Sequence, residues 1–231
     1  MIDLSGLAGQ SFHVLGYGLS GRSAALALKA AGKTVAIWDD SADKQALAKS
    51  DGMTVAADLS SDTLVVSPGV LIREDKAHDL VRQARSGNIP MTNDVGLFRA
   101  VCPGKTLVAI TGTNGKSTTT ALVGHILKEA GKNVAVGGNL GTPVLDLDPS
   151  ADVFVLELSS YQLEVAPTLN VDVALLLNIT PDHIDHHGSM ETYIAAKARI
   201  FDGAKTSIRA EDLSYKSGVV EGHDLSGLDR L

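Results

Sequence analysis

The amino-acid sequence predicts an α/β fold in which a parallel sheet flanked by helices is built twice in succession. Three observations carry that expectation. Short apolar runs alternate with helical runs along the chain. Glycine marks the turns between them, with 23 Gly against 7 Pro in 231 residues. The cycle of strand, glycine turn and helix starts at residue 12 and starts again at residue 106. Strands that alternate with helices pair in parallel through right-handed crossovers.

The elements follow in order. Phe12–Leu15 is the first strand, Gly16-Tyr17-Gly18-Leu19-Ser20-Gly21 its turn, and Arg22–Ala31 a helix closed by Gly32. Thr34–Trp38 is the second strand and ends at Asp39-Asp40. Met53–Ala56 and Thr63–Val66 read as strands, the latter running into Ser67-Pro68-Gly69, and Asp75–Arg85 reads as a helix closed by Gly87. Cys102-Pro103-Gly104 breaks the pattern. A boundary is expected there, dividing a first domain of residues 1–102 from a second of residues 103–212. Thr106–Ile110 is then a strand, Thr111–Gly115 a turn, and Lys116–Ala130 a helix with Leu122, Val123, Ile126, Leu127 and Ala130 on one face. Val134–Val136, Val153–Leu158 and Val171–Leu177 are apolar runs of the kind buried on both faces of a parallel sheet. Met190–Phe201 is the last helix. From Thr206 the apolar residues thin out. Residues 213–231 read either as a disordered or non-native tail or as an ordinary irregular terminus.

Composition sets bounds on function. The chain is 44% hydrophobic, enough to build a core, and carries a net charge of −7. That balance shows no electrostatic footprint for nucleic acid. The single Cys102 excludes an internal disulfide and suits a reducing cytosol. No run approaches the ~20 apolar residues of a membrane span, and no secretory signal stands at Met1. A cytoplasmic protein is the expectation.

The strongest chemical signal is Ile110-Thr111-Gly112-Thr113-Asn114-Gly115-Lys116-Ser117-Thr118. A strand ends, a glycine turn follows, and Lys-Ser opens a helix. Glycines let the backbone approach phosphate oxygens, helix N-terminal N–H groups point at the anion, the lysine reaches the β- and γ-phosphates, and the Ser117 hydroxyl can ligate Mg²⁺. The match to the general phosphate-loop pattern is incomplete, because Ile110 stands at its first glycine position. The bland alternative is a plain β–α turn rich in small residues. Glu157 ends a strand, where ligands gather in open parallel sheets, and a carboxylate there suits Mg²⁺. The run Asp182-His183-Ile184-Asp185-His186-His187 is dense in ligand types. It could be a zinc site, although ligands from one loop rarely close a tetrahedral shell; Asp182, His186 and His187 also read as solvated loop residues. In the first domain, Gly16-x-Gly18-x-x-Gly21 with Asp39 copies the dinucleotide fingerprint, which keeps an NAD-dependent oxidoreductase open as a rival.

Four ordered strings between residues 111 and 197 resemble the Mur ligase family: Thr-Gly-Thr-Asn-Gly-Lys-Ser at 111–117, Glu157-Leu158-Ser159-Ser160-Tyr161-Gln162-Leu163-Glu164, Asn178-Ile179-Thr180-Pro181-Asp182-His183-Ile184-Asp185, and Tyr193-Ile194-Ala195-Ala196-Lys197. The resemblance covers roughly residues 5–205. It implies a Rossmann-like N-terminal domain that binds a UDP-sugar and a central phosphate-loop domain that binds ATP. Leu19, Ser20, Asp39 and Asp40 match positions that hold the uridine diphosphate, and Ser67-Pro68-Gly69 a loop that closes over the nucleotide sugar. Gly112 to Thr118 match the ATP loop. Ser117 or Thr118, with Glu157, is implied to hold one Mg²⁺. His183, with Lys197 carboxylated by CO₂, is implied to serve a second, and Asn139 matches a position near the reacting carboxylate and phosphate.

The first domain sets the chain apart from family members that add later residues. Asn114, where alanine-adding members usually carry His, together with Glu157-Leu158-Ser159-Ser160, points to the D-glutamate-adding branch. The alanine-adding branch stays as an alternative. The implied reaction is ATP-driven amide formation. The carboxylate of UDP-N-acetylmuramoyl-L-alanine forms an acyl phosphate, which the amine of D-glutamate attacks. A monomer is implied. Family members continue further, complete the central sheet and add a third, amino-acid-binding domain. Ile208-Arg209-Ala210-Glu211-Asp212 only faintly resembles the expected strand end. The expectation is therefore a truncated ligase with impaired or no turnover, against the alternative of a nucleotide-binding module without catalysis.

Overall fold

The structure is a computed structural model, and it describes residues 1–139 and 141–209. The expected tail at 213–231 lies outside the described residues, as do Ala210, Glu211 and Asp212.

The first unit runs β1 (Ser11–Leu15), α1 (Leu19–Ala30), β2 (Thr34–Trp38), α2 (Ala42–Ser50), β3 (Thr54–Val55), β4 (Thr63–Val66), α3 (Asp79–Ser86), β5 (Met91–Thr92) and α4 (Asp94–Val101). Its strands form one parallel sheet in the order β3-β2-β1-β4-β5. The second unit runs β6 (Thr106–Thr111), α5 (Lys116–Glu129), β7 (Val134–Gly138), β8 (Val153–Glu157), α6 (Ser160–Val165), β9 (Val173–Leu176), the one-turn α7 (Ile184–His187), α8 (Met190–Ala198) and β10 (Thr206–Arg209). Its sheet is also parallel, in the order β10-β9-β6-β8-β7. The twice-built parallel-sheet α/β fold is thus observed.

Three departures have physical causes. α1 begins at Leu19, three residues before the expected Arg22, because Gly18 caps it from an extended conformation and the second half of the glycine turn is already helical. α3 begins at Asp79 rather than Asp75. His78 caps it there, accepting a hydrogen bond from Leu80 N through Nδ1. The apolar stripe read along α5 is not a core stripe: Leu122 and Ile126 are 53% and 55% exposed, while Val123 and Leu127 pack on the sheet. Gly124 sits where the helix meets β7. A Cβ there would collide with Val136 Cγ2, so the helix approaches through its glycine rather than through Leu122. Short elements without strong periodicity, α2, β5, α4, α6 and α7, were not foreseen, and β10 (Thr206–Arg209) falls where the sequence only faintly resembles a strand end.

The two sheets share one hydrophobic core. It runs from Ile2 and Phe12 in the first unit through Val95, Leu97 and Phe98 of α4 to Phe154, Leu156, Tyr193 and Phe201 in the second. α4 is the connector. Asn93 caps it through Gly96 N and donates across the units to Gln162 O at 2.8 Å. Arg99 donates to Leu169 O and Asn170 O, and the Phe98 ring lies 4.8 Å from that of Phe154. At the start of the chain Ile2 N donates to Leu145 O. These contacts fix the carboxyl ends of both sheets relative to each other.

Candidate functional site

In an open parallel sheet, ligands sit beyond the carboxyl ends of the strands where the strand order reverses. In the first unit that point lies between β1 and β4. A cleft of about 790 Å³ opens there. Every residue singled out in this unit lines it: Leu19 and Ser20 from the start of α1, Asp39 and Asp40 from the end of β2, and Ser67, Pro68 and Gly69 from the end of β4. Lys76 and His78 also line it, and their plain sequence context gave no signal.

The loop from β1 to α1 is tightly drawn. A Cβ on Gly21 would lie 3.0 Å from the Gly16 carbonyl carbon and closer still to its oxygen. The same Gly16 oxygen accepts a hydrogen bond from Ser67 Oγ at 2.8 Å. Gly18 caps α1 without a side-chain hydrogen bond, so the first N–H groups of the helix are left for an anion. Asp39 is partly committed: Oδ2 accepts from Tyr17 N at 2.6 Å and Oδ1 from Ser41 N at 2.9 Å. Those bonds hold the glycine loop against the second strand.

The second unit brings the residues after β6, β7, β8 and β9 together. Gly112 and Gly115 take φ of 158° and 80°, and Gly115 caps α5 in the left-handed region, where a side chain costs roughly 1–2 kcal/mol. Asn178, just beyond β9, grips the loop: its side chain accepts from Asn114 N at 2.9 Å and donates to Asn114 O at 3.0 Å. Lys116 Nζ donates to Thr113 O within its own loop.

Register puts Glu157, the last residue of β8, opposite Ile110 and Gly138. There it is 2% exposed. Ser117 Oγ donates to Glu157 Oε2 at 2.7 Å and Asn139 Nδ2 donates to Oε1 at 2.8 Å. Both partners are neutral, and among the described residues Glu157 makes no ion pair with Lys, Arg or His. A buried carboxylate that lacks a cation partner and shares an edge with a hydroxyl fits a hard divalent cation.

Lys197 on α8 is 2% exposed and donates to Gly112 O at 2.7 Å. Its Nζ lies 4.9 Å from the centre of the Tyr193 ring, one turn earlier on the same face. Burial, with the Lys116 ammonium nearby, pulls the Lys197 amine down to about 7. His183 takes a left-handed backbone (φ 52°), uncommon for a residue with a side chain. Its ring packs against Tyr161 and Tyr193 at 5.0 and 6.3 Å. His183 and Lys197 thus both face the Tyr193 ring rather than touching each other. Thr113 Oγ1 meets Tyr193 OH at 3.0 Å and accepts from Thr180 N, joining the phosphate loop to α8 and to the histidine loop.

His186 and His187 are not solvated loop residues. The His187 side chain is 1% exposed and that of His186 10%. The sequence run could not show this, because the partner that covers them, Glu164, comes from α6.

Asn139 and Gly138 line the first-unit cleft as well as flanking Glu157. The cleft and the phosphate loop are therefore two ends of one site. That arrangement can hold one phosphorylated ligand on α1, a second on α5, and a reacting group at Asn139 between them.

Residues 110–218 match the family model described as the Mur ligase middle domain. A UDP-N-acetylmuramoylalanine–D-glutamate ligase of Paramagnetospirillum magneticum is 46% identical over 209 residues, covering 87% of this chain and 46% of its own length. Another of the same description, from Rhizobium etli, is 42% identical over 239 residues, covering 99% of this chain and 51% of the relative. The chain spans about half the length of these curated relatives. Among solved structures, a UDP-N-acetylmuramate–alanine ligase from Thermotoga maritima superposes with a TM-score of 0.53 at 23% identity, covering 88% of this chain and 50% of the other. A UDP-N-acetylmuramate:L-alanyl-γ-D-glutamyl-meso-diaminopimelate ligase from Neisseria meningitides gives 0.53 at 19% identity, covering 87% and 78%. These two share the fold.

Proposed function

We propose that this chain, which belongs to the Mur ligase family, supplies the UDP-sugar and ATP sites of a cytoplasmic ligase that adds D-glutamate to UDP-N-acetylmuramoyl-L-alanine during peptidoglycan precursor synthesis. One observation carries the reading. Asn139 donates to Glu157 beside the phosphate loop and also lines the cleft that begins at the Gly16–Gly21 turn. A nucleotide sugar seated with its diphosphate on α1 would extend its far end toward Asn139, which is where a carboxylate must meet the γ-phosphate of ATP. The names of the two curated relatives support the choice of D-glutamate as the incoming amino acid.

The residues divide the work as follows. In the Gly112–Thr118 loop the N–H groups from Gly115 onward cradle the phosphates of ATP, those of Thr113 and Asn114 being bonded to Asn178, and Lys116 swings from Thr113 O to meet them. Asn139 orients the substrate carboxylate for attack on the γ-phosphorus, so that an anion approaches a polyanion in line. The carboxylate oxygen bonds to phosphorus as the bond to ADP breaks, giving an acyl phosphate. The neutral amine of D-glutamate then attacks the acyl carbon and phosphate leaves. Mg²⁺ held by Ser117 and Glu157, and a second ion near His183 and a carbamylated Lys197, would neutralise charge on the phosphates. Leu19, Ser20, Asp39, Asp40, Ser67, Pro68 and Gly69 hold the nucleotide sugar.

The test is a calorimetric titration of the purified chain with UDP-N-acetylmuramoyl-L-alanine, with UDP-N-acetylglucosamine and NAD as controls. Saturable binding selective for the alanyl muramic nucleotide is expected. Preferential binding of NAD would overturn the reading of the first unit.

A further inference from the structure

We propose that Glu164, His186 and His187 form a binding site for a borderline transition-metal cation, Zn²⁺ being the natural occupant, outside the phosphate-binding centre.

The three ligand atoms come from two elements, the carboxylate from α6 and both imidazoles from α7, and all lie within 4.8 Å of one another. Glu164 Oε2 is 2.9 Å from His186 Nε2 and 3.8 Å from His187 Nδ1. Ligand atoms on a tetrahedral zinc, with bonds of about 2.0–2.2 Å, stand roughly 3.3 Å apart. The two carboxylate-to-imidazole spacings bracket that value, and side-chain rotation that draws the two imidazoles together would let a cation enter.

The second observation is a buried polar atom with nothing to bond. His187 is 1% exposed at its side chain, and among the described residues its Nδ1 has no hydrogen-bond partner. The other ring nitrogen, Nε2, is engaged by Ser160 Oγ at 2.9 Å. The tautomer in which Nε2 donates to Ser160 leaves the Nδ1 lone pair directed toward Glu164. A metal-bound histidine is held this way, with its second nitrogen hydrogen-bonded so that ring and tautomer are fixed. An orphaned buried acceptor costs on the order of 1–3 kcal/mol, and a cation at Nδ1 would relieve that cost.

The surroundings keep the rings in place. Tyr161 stacks on His187 at 5.7 Å and meets His186 edge-on at 4.3 Å. Two imidazoles and one carboxylate with a fourth position open to water form a donor set that favours Zn²⁺ over Mg²⁺, which takes oxygen ligands. Glu164 is 23% exposed at its side chain, which gives the ion a way in. Occupancy would clamp α7 to α6, and the residue that caps α7 is His183 of the proposed reaction centre.

The experiment is a Zn²⁺ titration of the chain in excess Mg²⁺, with bound metal counted after desalting and Co²⁺ absorption as a probe of geometry. One zinc per chain is expected, with a tetrahedral Co²⁺ spectrum. Glu164→Gln and His186→Gln should each weaken binding by more than about tenfold, the least that losing even a supporting contact costs a metal site. His187→Asn should do the same, and the two less buried variants keep the test valid if that one folds poorly. His183→Asn and the exposed His125→Asn should leave the stoichiometry unchanged. No stoichiometric zinc, zinc indifferent to Glu164→Gln and His186→Gln, or zinc lost with His183→Asn would each overturn the proposal.

Discussion

Gly21→Ala and Gly18→Ala separate two glycines that look equivalent in the motif. At Gly21 the added Cβ would lie 3.0 Å from the Gly16 carbonyl carbon and nearer still to its oxygen and to Ser67 Oγ, where ordinary contact is ~3.5–4.0 Å. The obstacle is backbone, so no rotamer change removes it, and relief requires α1 to move off β1. Overpacking of this kind costs roughly 1–3 kcal/mol, and the upper end applies here. Alanine within a helix returns about 1 kcal/mol of propensity, leaving a net loss of ~2 kcal/mol. For a chain of this size each kcal/mol shifts Tm by roughly 2–4 °C, so a fall of about 4–8 °C is expected. At Gly18 a Cβ meets nothing within 4 Å and φ is −74°. The poorer cap costs a few tenths of a kcal/mol, offset by a stiffer unfolded chain, and Tm should hold within about 2 °C. Thermal unfolding by circular dichroism reads both, and titration with UDP-N-acetylmuramoyl-L-alanine should fail or weaken for Gly21→Ala. A Gly21→Ala variant as stable as the parent, or a Gly18→Ala variant that falls equally far, would refute the close-approach argument.

Other outcomes follow from buried groups. His13 is fully buried, and burial pushes it down to about 4 against an opposing interaction with the Ala56 backbone. Its folded pKa lies below the unfolded 6.5, so its contribution is fully present above pH 6.5 and lost as pH falls toward 4; at ~1.4 kcal/mol per tenfold in proton affinity the loss is of order 3 kcal/mol. His13→Leu should flatten urea-unfolding stability between pH 6.5 and 4, and an unchanged slope would count against it. Glu157→Gln removes a buried charge whose described hydrogen-bond partners are both neutral, so Tm in chelator should hold or rise while the Mg²⁺-dependent gain in ATP affinity falls tenfold or more, about 1.4 kcal/mol; retained Mg²⁺ dependence would remove Glu157 from the ion site. Lys197, neutral over much of its population near pH 7, should give a carbamate carbon signal with ¹³C-labelled bicarbonate that grows as pH rises through about 7 at fixed dissolved CO₂. Lys197→Arg should lack that signal, and its persistence would place the carbamate elsewhere.

Local chemistry made the frame legible. Gly16–Gly21, Asp39 and the Thr111–Thr118 loop announce themselves because backbone approach to phosphate requires glycines at fixed offsets after a strand. Thr34–Trp38 and Thr63–Val66 were bounded correctly: the first alternates, burying Val35 and Ile37, and the second is a short apolar run buried from Leu64 to Val66, so neither offers a helical period. Sequence determined the two parallel sheets and the family. Tertiary structure alone decided which residues meet. That α5 reaches the sheet through Gly124 and leaves Leu122 exposed depends on a contact with β7, not on the helix itself. That Asn139 serves both the cleft and Glu157 follows from strand register and from α4 locking the two sheets together. That His186 and His187 pack beneath Glu164 follows from α6 and α7 both docking on α8, which brings together residues 22 and 23 positions apart in the chain. Periodicity reports how a segment meets its nearest face; it carries no information about which distant segment supplies that face.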